Sequence, residues 1–210
     1  MYKTILKDAK AEIEIKKSIF IGHAFFVKSE EEALKILGRV KEEHRSATHN
    51  CHAYIIGEDG LTQRYSDDGE PSGTAGIPML EVLKKEDMRN VLVIVTRYFG
   101  GTKLGAGGLV RAYTEGVVKA LDEAKRCMRK NFTRTKIIYD YTFHGAIVNL
   151  LANEDYKIIE ENYTDKVEVT IDIGDDKSIL DKLRDMTSAK FETEDLEVIE
   201  LPTIDGKIIY

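Results

Sequence analysis

The chain is 210 residues long, 42% hydrophobic and 32% charged, with a formal net charge of -6 from 31 basic and 37 acidic side chains. This composition excludes a disordered or collagen-like chain and fits one or two globular domains, large enough to bury roughly 70% of the unfolded surface without disulfides or a structural metal. Two cysteines, Cys51 and Cys127, fit a reducing compartment. The longest apolar run, Val91 to Val95, and the absence of an apolar leader give a cytoplasmic expectation with no membrane partner.

In chain order, the pattern predicts a strand pair at 11–15 and 19–27, then a helix from Ser29 to about His44. A Ser29/Glu32 capping box opens this helix, and Ala33, Leu34, Ile36, Leu37 and Val40 form its buried stripe. Strands at 51–56 and 61–65 follow, then a Gly/Pro loop, a short helix at 79–84, a buried strand at 91–96 and a long helix at 109–126. Leu109, Tyr113, Val117, Leu121 and Ala124 line one side of that long helix. The stretch 126–134 is polar and basic with no apolar stripe, which places a boundary near residue 130 between domains 1–130 and 131–210.

The second domain begins with a strand that puts Ile137, Tyr139 and Tyr141 on one face, followed by a helix at 144–153 and a strand at 156–161. Strict alternation marks a strand at 167–173. A helix at 175–187 carries Ile179, Leu180, Leu183 and Met186, and a strand at 191–201 closes the unit with Leu196 and Val198 facing inward. The order is β-α-β-β-α-β, a ferredoxin-like split, so the fold class is α+β. Charge divides with the domains: residues 1–130 hold 22 basic and 19 acidic groups, net +3, and residues 131–210 hold 9 and 18, net -9. A general nucleic-acid coat and DNA binding are therefore not expected, while a local anion site in the first domain is.

Half of the 16 glycines fall in two windows: Gly69, Gly73 and Gly76 in one, and Gly100, Gly101, Gly105, Gly107 and Gly108 in the other. The second window joins a buried strand to a helix start, where free amides and the positive end of the helix dipole gather. Arg97, Lys103 and Arg111 bracket it. With the helix starting at Leu109, Arg111 stands in its first turn, where a cation opposes the dipole by about 0.3–1 kcal/mol, a conflict that bound phosphate relieves. The alternative is that the glycines permit close helix–sheet packing and Arg111 pairs with Glu115. The spacing fits neither a Walker loop nor the dinucleotide fingerprint.

At these residues the chain resembles the YigZ/IMPACT family, through HNCHAY at 49–54, RYSDDGEPSGTAGIPML at 64–80 and VTRYFGGTKLGAGGLVRAY at 95–113. The resemblance implies an N-terminal domain similar to ribosomal protein S5 domain 2 and a C-terminal ferredoxin-like domain similar to one in elongation factor G. It also implies a connection with translation: eukaryotic relatives are tied to translational control through a ribosome-associated regulator, but they carry an additional N-terminal domain that this sequence does not match. The S5-like fold is shared with small-molecule kinases that hold ATP phosphates on a Gly-rich loop, so fold alone does not decide function.

Three further constellations carry chemistry. Asp67, Asp68 and Glu70 beside Gly69 could hold Mg2+ or act as acid and base, could form an ordinary solvated turn, or could meet Arg97 or Arg111 across a cleft as a charge-complementary site. His44, His49, Cys51 and His52 lack a zinc-site spacing, so no metal is expected; strand alternation puts Cys51 and His52 on opposite faces, which disfavours a Cys-His catalytic pair of neighbours, while His49 and Cys51 could share a face. Tyr65, Tyr98, Phe99 and Tyr113 could stack bases or pack in the core. The leading expectation is a non-enzymatic protein of the translation-regulation type, without a cofactor. It binds RNA or a ribosome-associated factor through Arg97, Lys103, Arg111 and the amides of the second glycine window. The alternatives are an enzyme acting on a phosphorylated small molecule or nucleotide, with Mg2+ on the acidic cluster, and a protein-interaction module with structural glycines.

Overall fold

The computed structural model describes residues 1–210. The chain divides into two compact units, Met1–Met128 and Arg129–Tyr210. The fold class is α+β, with antiparallel sheets. No helix is long and apolar enough to cross a membrane.

The first unit runs β1 (Tyr2–Ile5), β2 (Ala9–Ile15), β3 (Ser18–Phe26), α1 (Glu30–Glu43), β4 (His49–Ile56), β5 (Thr62–Ser66), α2 (Gly76–Lys85), β6 (Val91–Tyr98) and α3 (Ala106–Ala124). Its sheet has the order β2-β3-β6-β4-β5, and every pairing is antiparallel. Central β6 explains its own sequence. Val91, Val93 and Val95 pack with Met79, Leu83, Tyr113, Val117 and Leu121 from α2 and α3. Leu92 and Ile94 pack with Ala33, Leu37 and Val40 of α1 on the other face. A strand covered on both faces reads as a continuous apolar run.

Ser29 caps α1 by accepting the Glu32 amide at 3.1 Å, while the Glu32 carboxylate takes the Lys28 amide at 2.8 Å. Leu34 is exposed, against expectation, while Ala33, Leu37 and Val40 are buried and Ile36 packs half-buried against the same cluster. Both glycine windows run further into helix than the sequence pattern suggests: α2 begins at Gly76 and α3 at Ala106.

The second unit takes up β7 (Arg126–Tyr139) and continues through a 3-10 turn (Tyr141–Phe143), α4 (His144–Asn153), β8 (Glu160–Tyr163), β9 (Val167–Ile173), α5 (Ser178–Thr187), β10 (Phe191–Ile204) and β11 (Lys207–Ile208). The order β11-β10-β7-β9-β8 places the first and third strands at the centre, the split β-α-β arrangement, with β11 added at one edge. Ile137, Val169, Ile171, Ile147, Leu151, Ile179 and Leu183 form the core. The polar stretch from 126 is strand rather than linker, since backbone pairing in a sheet requires no apolar stripe. Tyr141 leaves the face of Ile137 and Tyr139 for the 3-10 turn, where its hydroxyl donates to the Thr164 carbonyl at 2.6 Å. Leu196 and Val198 do not face inward: they are 44% and 68% exposed.

Candidate functional site

The three segments that carry the resemblance meet on one carboxylate. Alternation along β6 puts Arg97 in line with Val93 and Val95, and the residue is 5% exposed. Arg97 Nη1 donates to Glu70 Oε1 at 2.6 Å, and the Tyr113 hydroxyl donates to the same oxygen at 2.7 Å. Glu70 itself is 7% exposed. Arg97 stands opposite His49 in the β4–β6 ladder, and the guanidinium carbon lies 5.4 and 5.5 Å from the Phe20 and Phe99 ring centroids. The sequence offers Arg97 either to phosphate or to the acidic cluster; the structure makes it half of a buried ion pair with Glu70 of that cluster.

His49 Nδ1 lies 2.8 Å from the Asp68 carbonyl oxygen, and His49 Nε2 lies 3.8 Å from Glu70 Oε2. A carbonyl only accepts, so Nδ1 carries the proton and Nε2 faces the carboxylate. Cys51 is fully buried on the same face and donates to the Asp67 carbonyl. Burial, with Glu70, Asp68 and Asp67 nearby and against the Tyr113 hydrogen bond, pushes its thiol up to about 12. At neutral pH it is a thiol, without the thiolate that nucleophilic chemistry requires. His52 points to the other face, where it stacks with Tyr54, and burial lowers its pKa.

The three acidic residues do not converge. The Asp67 carboxylate accepts the amides of Gly73, Ala75 and Gly76 at 2.8–3.0 Å and so caps the entry to α2. Asp68 takes the Asn50 amide and Lys41 Nζ, both at 2.7 Å. Burial raises the Asp68 pKa, but these two donors outweigh it and hold the carboxyl below its ordinary value. Glu70 turns inward to Arg97 and Tyr113. No group of three His, Cys, Asp or Glu side chains has the arrangement to hold a metal ion.

Beyond Arg97 the chain forms the loop that leads into α3. A Cβ on Gly100 would lie 2.0 Å from the Lys17 carbonyl carbon, so only glycine fits there, and the Gly100 amide donates to Ser18 Oγ at 3.1 Å. Gly105 is the N-cap residue of α3 with φ 73, and no side chain caps the first turn, which holds no acidic residue. Gly107 differs: nothing lies within 4 Å of a Cβ built on it, and its φ is ordinary. Gly101, Lys103, Gly107 and Arg111 are exposed, Gly108 is half-buried, and Phe99 is 48% exposed. Because α3 starts at Ala106, Arg111 stands in its second turn rather than its first, which weakens its conflict with the dipole. Tyr113, one of the four aromatic candidates, is core; Tyr65 and Phe99 are exposed. Tyr98 binds His44 Nδ1 at 2.9 Å.

A family model described as the Impact N-terminal domain matches residues 16–121, and one described as a domain of unknown function, DUF1949, matches residues 137–190. The IMPACT family member YvyE of Bacillus subtilis is 46% identical over 167 residues, covering 80% of this chain and 77% of its own. The IMPACT family member YigZ of Escherichia coli is 39% identical over 152 residues, covering 71% and 74%. A crystal structure titled as a hypothetical protein superposes with a TM-score of 0.59 at 32% identity, covering 93% of this chain and 97% of that one.

Proposed function

This chain belongs to the IMPACT family, and from that membership we propose that it serves translational control in the cytoplasm by holding the phosphate backbone of RNA on the loop between β6 and α3. One observation carries the reading: an uncapped helix start with exposed Lys103 and Arg111 beside it and an exposed aromatic, Phe99, at the loop's entry. Amides at a helix start attract anions, the two cations add charge, and a ring face stacks on a base without regard to sequence. In this reading Arg97 anchors the loop instead of touching phosphate. The RNA is free or part of a ribosome-associated particle.

Titration of labelled single-stranded RNA at several salt concentrations tests it. Each phosphate contact contributes a slope of about -0.7 in log K against log salt, so Lys103→Ala with Arg111→Ala makes the slope shallower by about 1.4. Equal affinity and slope in the wild type and the double variant overturn the reading.

A second reading, an enzyme acting on a phosphorylated small molecule or nucleotide held on the same loop, is supported by His49, whose Nε2 faces Glu70 in a half-buried position. A nucleotide with Mg2+ at 100 times its dissociation constant then raises stability by about 2.7 kcal/mol in a thermal scan. A screen of phosphorylated metabolites without any shift removes it.

A further inference from the structure

Leu196 and Val198 are exposed for a reason that belongs to the sheet. β10 is 14 residues long and has β7 on one side, but β11 covers its other side only at Thr203 and Ile204. Along Phe191–Ile199 no strand lies on the outer edge. Every side chain from Glu192 to Val198 is exposed, so the two faces of this stretch are open as well as its edge. Natural edge strands are blunted by charged side chains, lysine above all, and by proline, bulges or shortness, and here the guarding charge is all acidic. This one has no lysine, proline or glycine between Phe191 and Ile199. At about 3.3 Å per residue it offers roughly 30 Å of outward amides and carbonyls.

The chemistry of the edge selects what can pair with it. Glu192, Glu194, Asp195 and Glu197 place four acidic groups and no basic one in these nine residues. Lys166, Lys136 and Arg134 reach Glu192, Glu194 and Glu197 at 2.7–3.1 Å, yet each glutamate side chain stays more than half exposed. A second copy pairing along the same edge would set acid against acid in the cross-strand positions, where like charges destabilise. A strand with cations opposite the carboxylates and apolar side chains opposite Leu196 and Val198 would satisfy the open backbone, the acidic groups and the exposed apolar pair together. We propose that Phe191–Ile199 of β10 is a docking edge that receives an extended basic polypeptide segment as an added strand.

Amide hydrogen exchange on the full-length protein tests this, with a synthetic nine-residue peptide that carries lysine or arginine at the positions facing Glu192, Glu194, Asp195 and Glu197 and valine at the others as the probe. The outward amides of residues 191–199 should slow by about tenfold or more when the peptide is bound, and the protection should weaken with salt. An acidic peptide of the same apolar pattern should give none, and neither should the basic peptide N-methylated along its backbone. Glu194→Gln with Glu197→Gln should weaken the basic peptide's protection while exchange in β6 stays unchanged, which reports an intact first unit. The proposal is overturned if millimolar basic peptide gives no protection, if the acidic or N-methylated peptide protects equally, or if the double variant binds as the wild type does. Concentration-dependent protection of the same amides without peptide overturns it too, because the occupant is then a second copy.

Discussion

Replacing Glu70 by alanine is the sharpest test of the buried hub. The Glu70 and Arg97 side chains are 3% and 6% exposed, and Arg97 Nε is buried with no hydrogen-bond partner even in the intact pair. Removing the carboxylate leaves a guanidinium uncompensated in the interior and takes the acceptor from the Tyr113 hydroxyl. Breaking one side of such a pair costs about 3–5 kcal/mol, whereas replacing both partners by apolar residues of similar size is neutral or stabilising by about 1–4 kcal/mol. Glu70→Ala and Arg97→Met should each be strongly destabilising, and Glu70→Leu with Arg97→Met should recover most of the loss.

The assay is urea unfolding of the full chain followed by far-UV circular dichroism, with exchange of the β6 amides assigning the transition to the first unit. With a slope of about 2 kcal/mol per molar urea, a loss of about 4 kcal/mol lowers the midpoint by about 2 M. The double variant should return to within about 0.5 M of the wild type. If both single variants shift the midpoint by less than about 0.3 M, the pair is not the buried, uncompensated system described. If the double variant is as unstable as the sum of the singles, the argument about the orphaned charge is wrong.

Gly100→Ala should destabilise the fold by about 1–3 kcal/mol because its Cβ meets the Lys17 backbone. Gly107→Ala should leave stability unchanged or raise it by up to about 1 kcal/mol but weaken RNA binding if phosphate approaches that amide; thermal scans and RNA titration separate the two effects. Cys51, buried and raised to about 12, should resist iodoacetamide at pH 8 and react only at the rate of global unfolding. The folded state holds its proton more tightly than the unfolded chain, so its contribution is complete below the ordinary thiol value of about 9 and is lost as pH rises toward 12. Cys51→Ala should flatten that alkaline loss in pH-dependent urea midpoints, and an unchanged profile would count against the assignment.

Legibility in the sequence followed the strength of the local pattern. The second unit reads as β-α-β-β-α-β because Val167–Ile173 alternates strictly and the stripe of Ile179 and Leu183 is amphipathic. The starts of α2 and α3 are hidden because their first turns, Gly76-Ile77-Pro78 and Ala106-Gly107-Gly108, are rich in glycine and proline and carry no apolar stripe, and tertiary packing decides them. Inward placement of Leu196 and Val198 follows from treating alternation as burial, but alternation fixes only the face, and both side chains stand exposed. Arg97 lies beside the glycines along the chain, and the sequence leaves it between a phosphate contact and a pairing with the acidic cluster. Its partner Glu70 is 27 residues away, yet one signal was available: the parity of Val91, Val93 and Val95 already turns Arg97 inward, and an inward arginine needs an acid.

That acid ties the loop between β6 and α3 down at both ends. Arg97 closes β6 just before the loop, Tyr113 lies one turn beyond Leu109 in α3, and both donate to the same oxygen of Glu70. The exposed cations of the proposed site are therefore held in place by a group that does not touch the ligand. Glu70→Gln keeps the shape but removes the charge that fixes Arg97, so it should act on RNA binding through loop position alone. Affinity should fall while the salt dependence stays as in the wild type, because Lys103 and Arg111 still supply the same contacts. Arg111→Ala, by contrast, should make the slope shallower by about 0.7. A Glu70→Gln variant whose slope changes as much as that of Arg111→Ala would mean that Glu70 or Arg97 meets the phosphate directly, and the division between anchor and contact drawn from the geometry would fail.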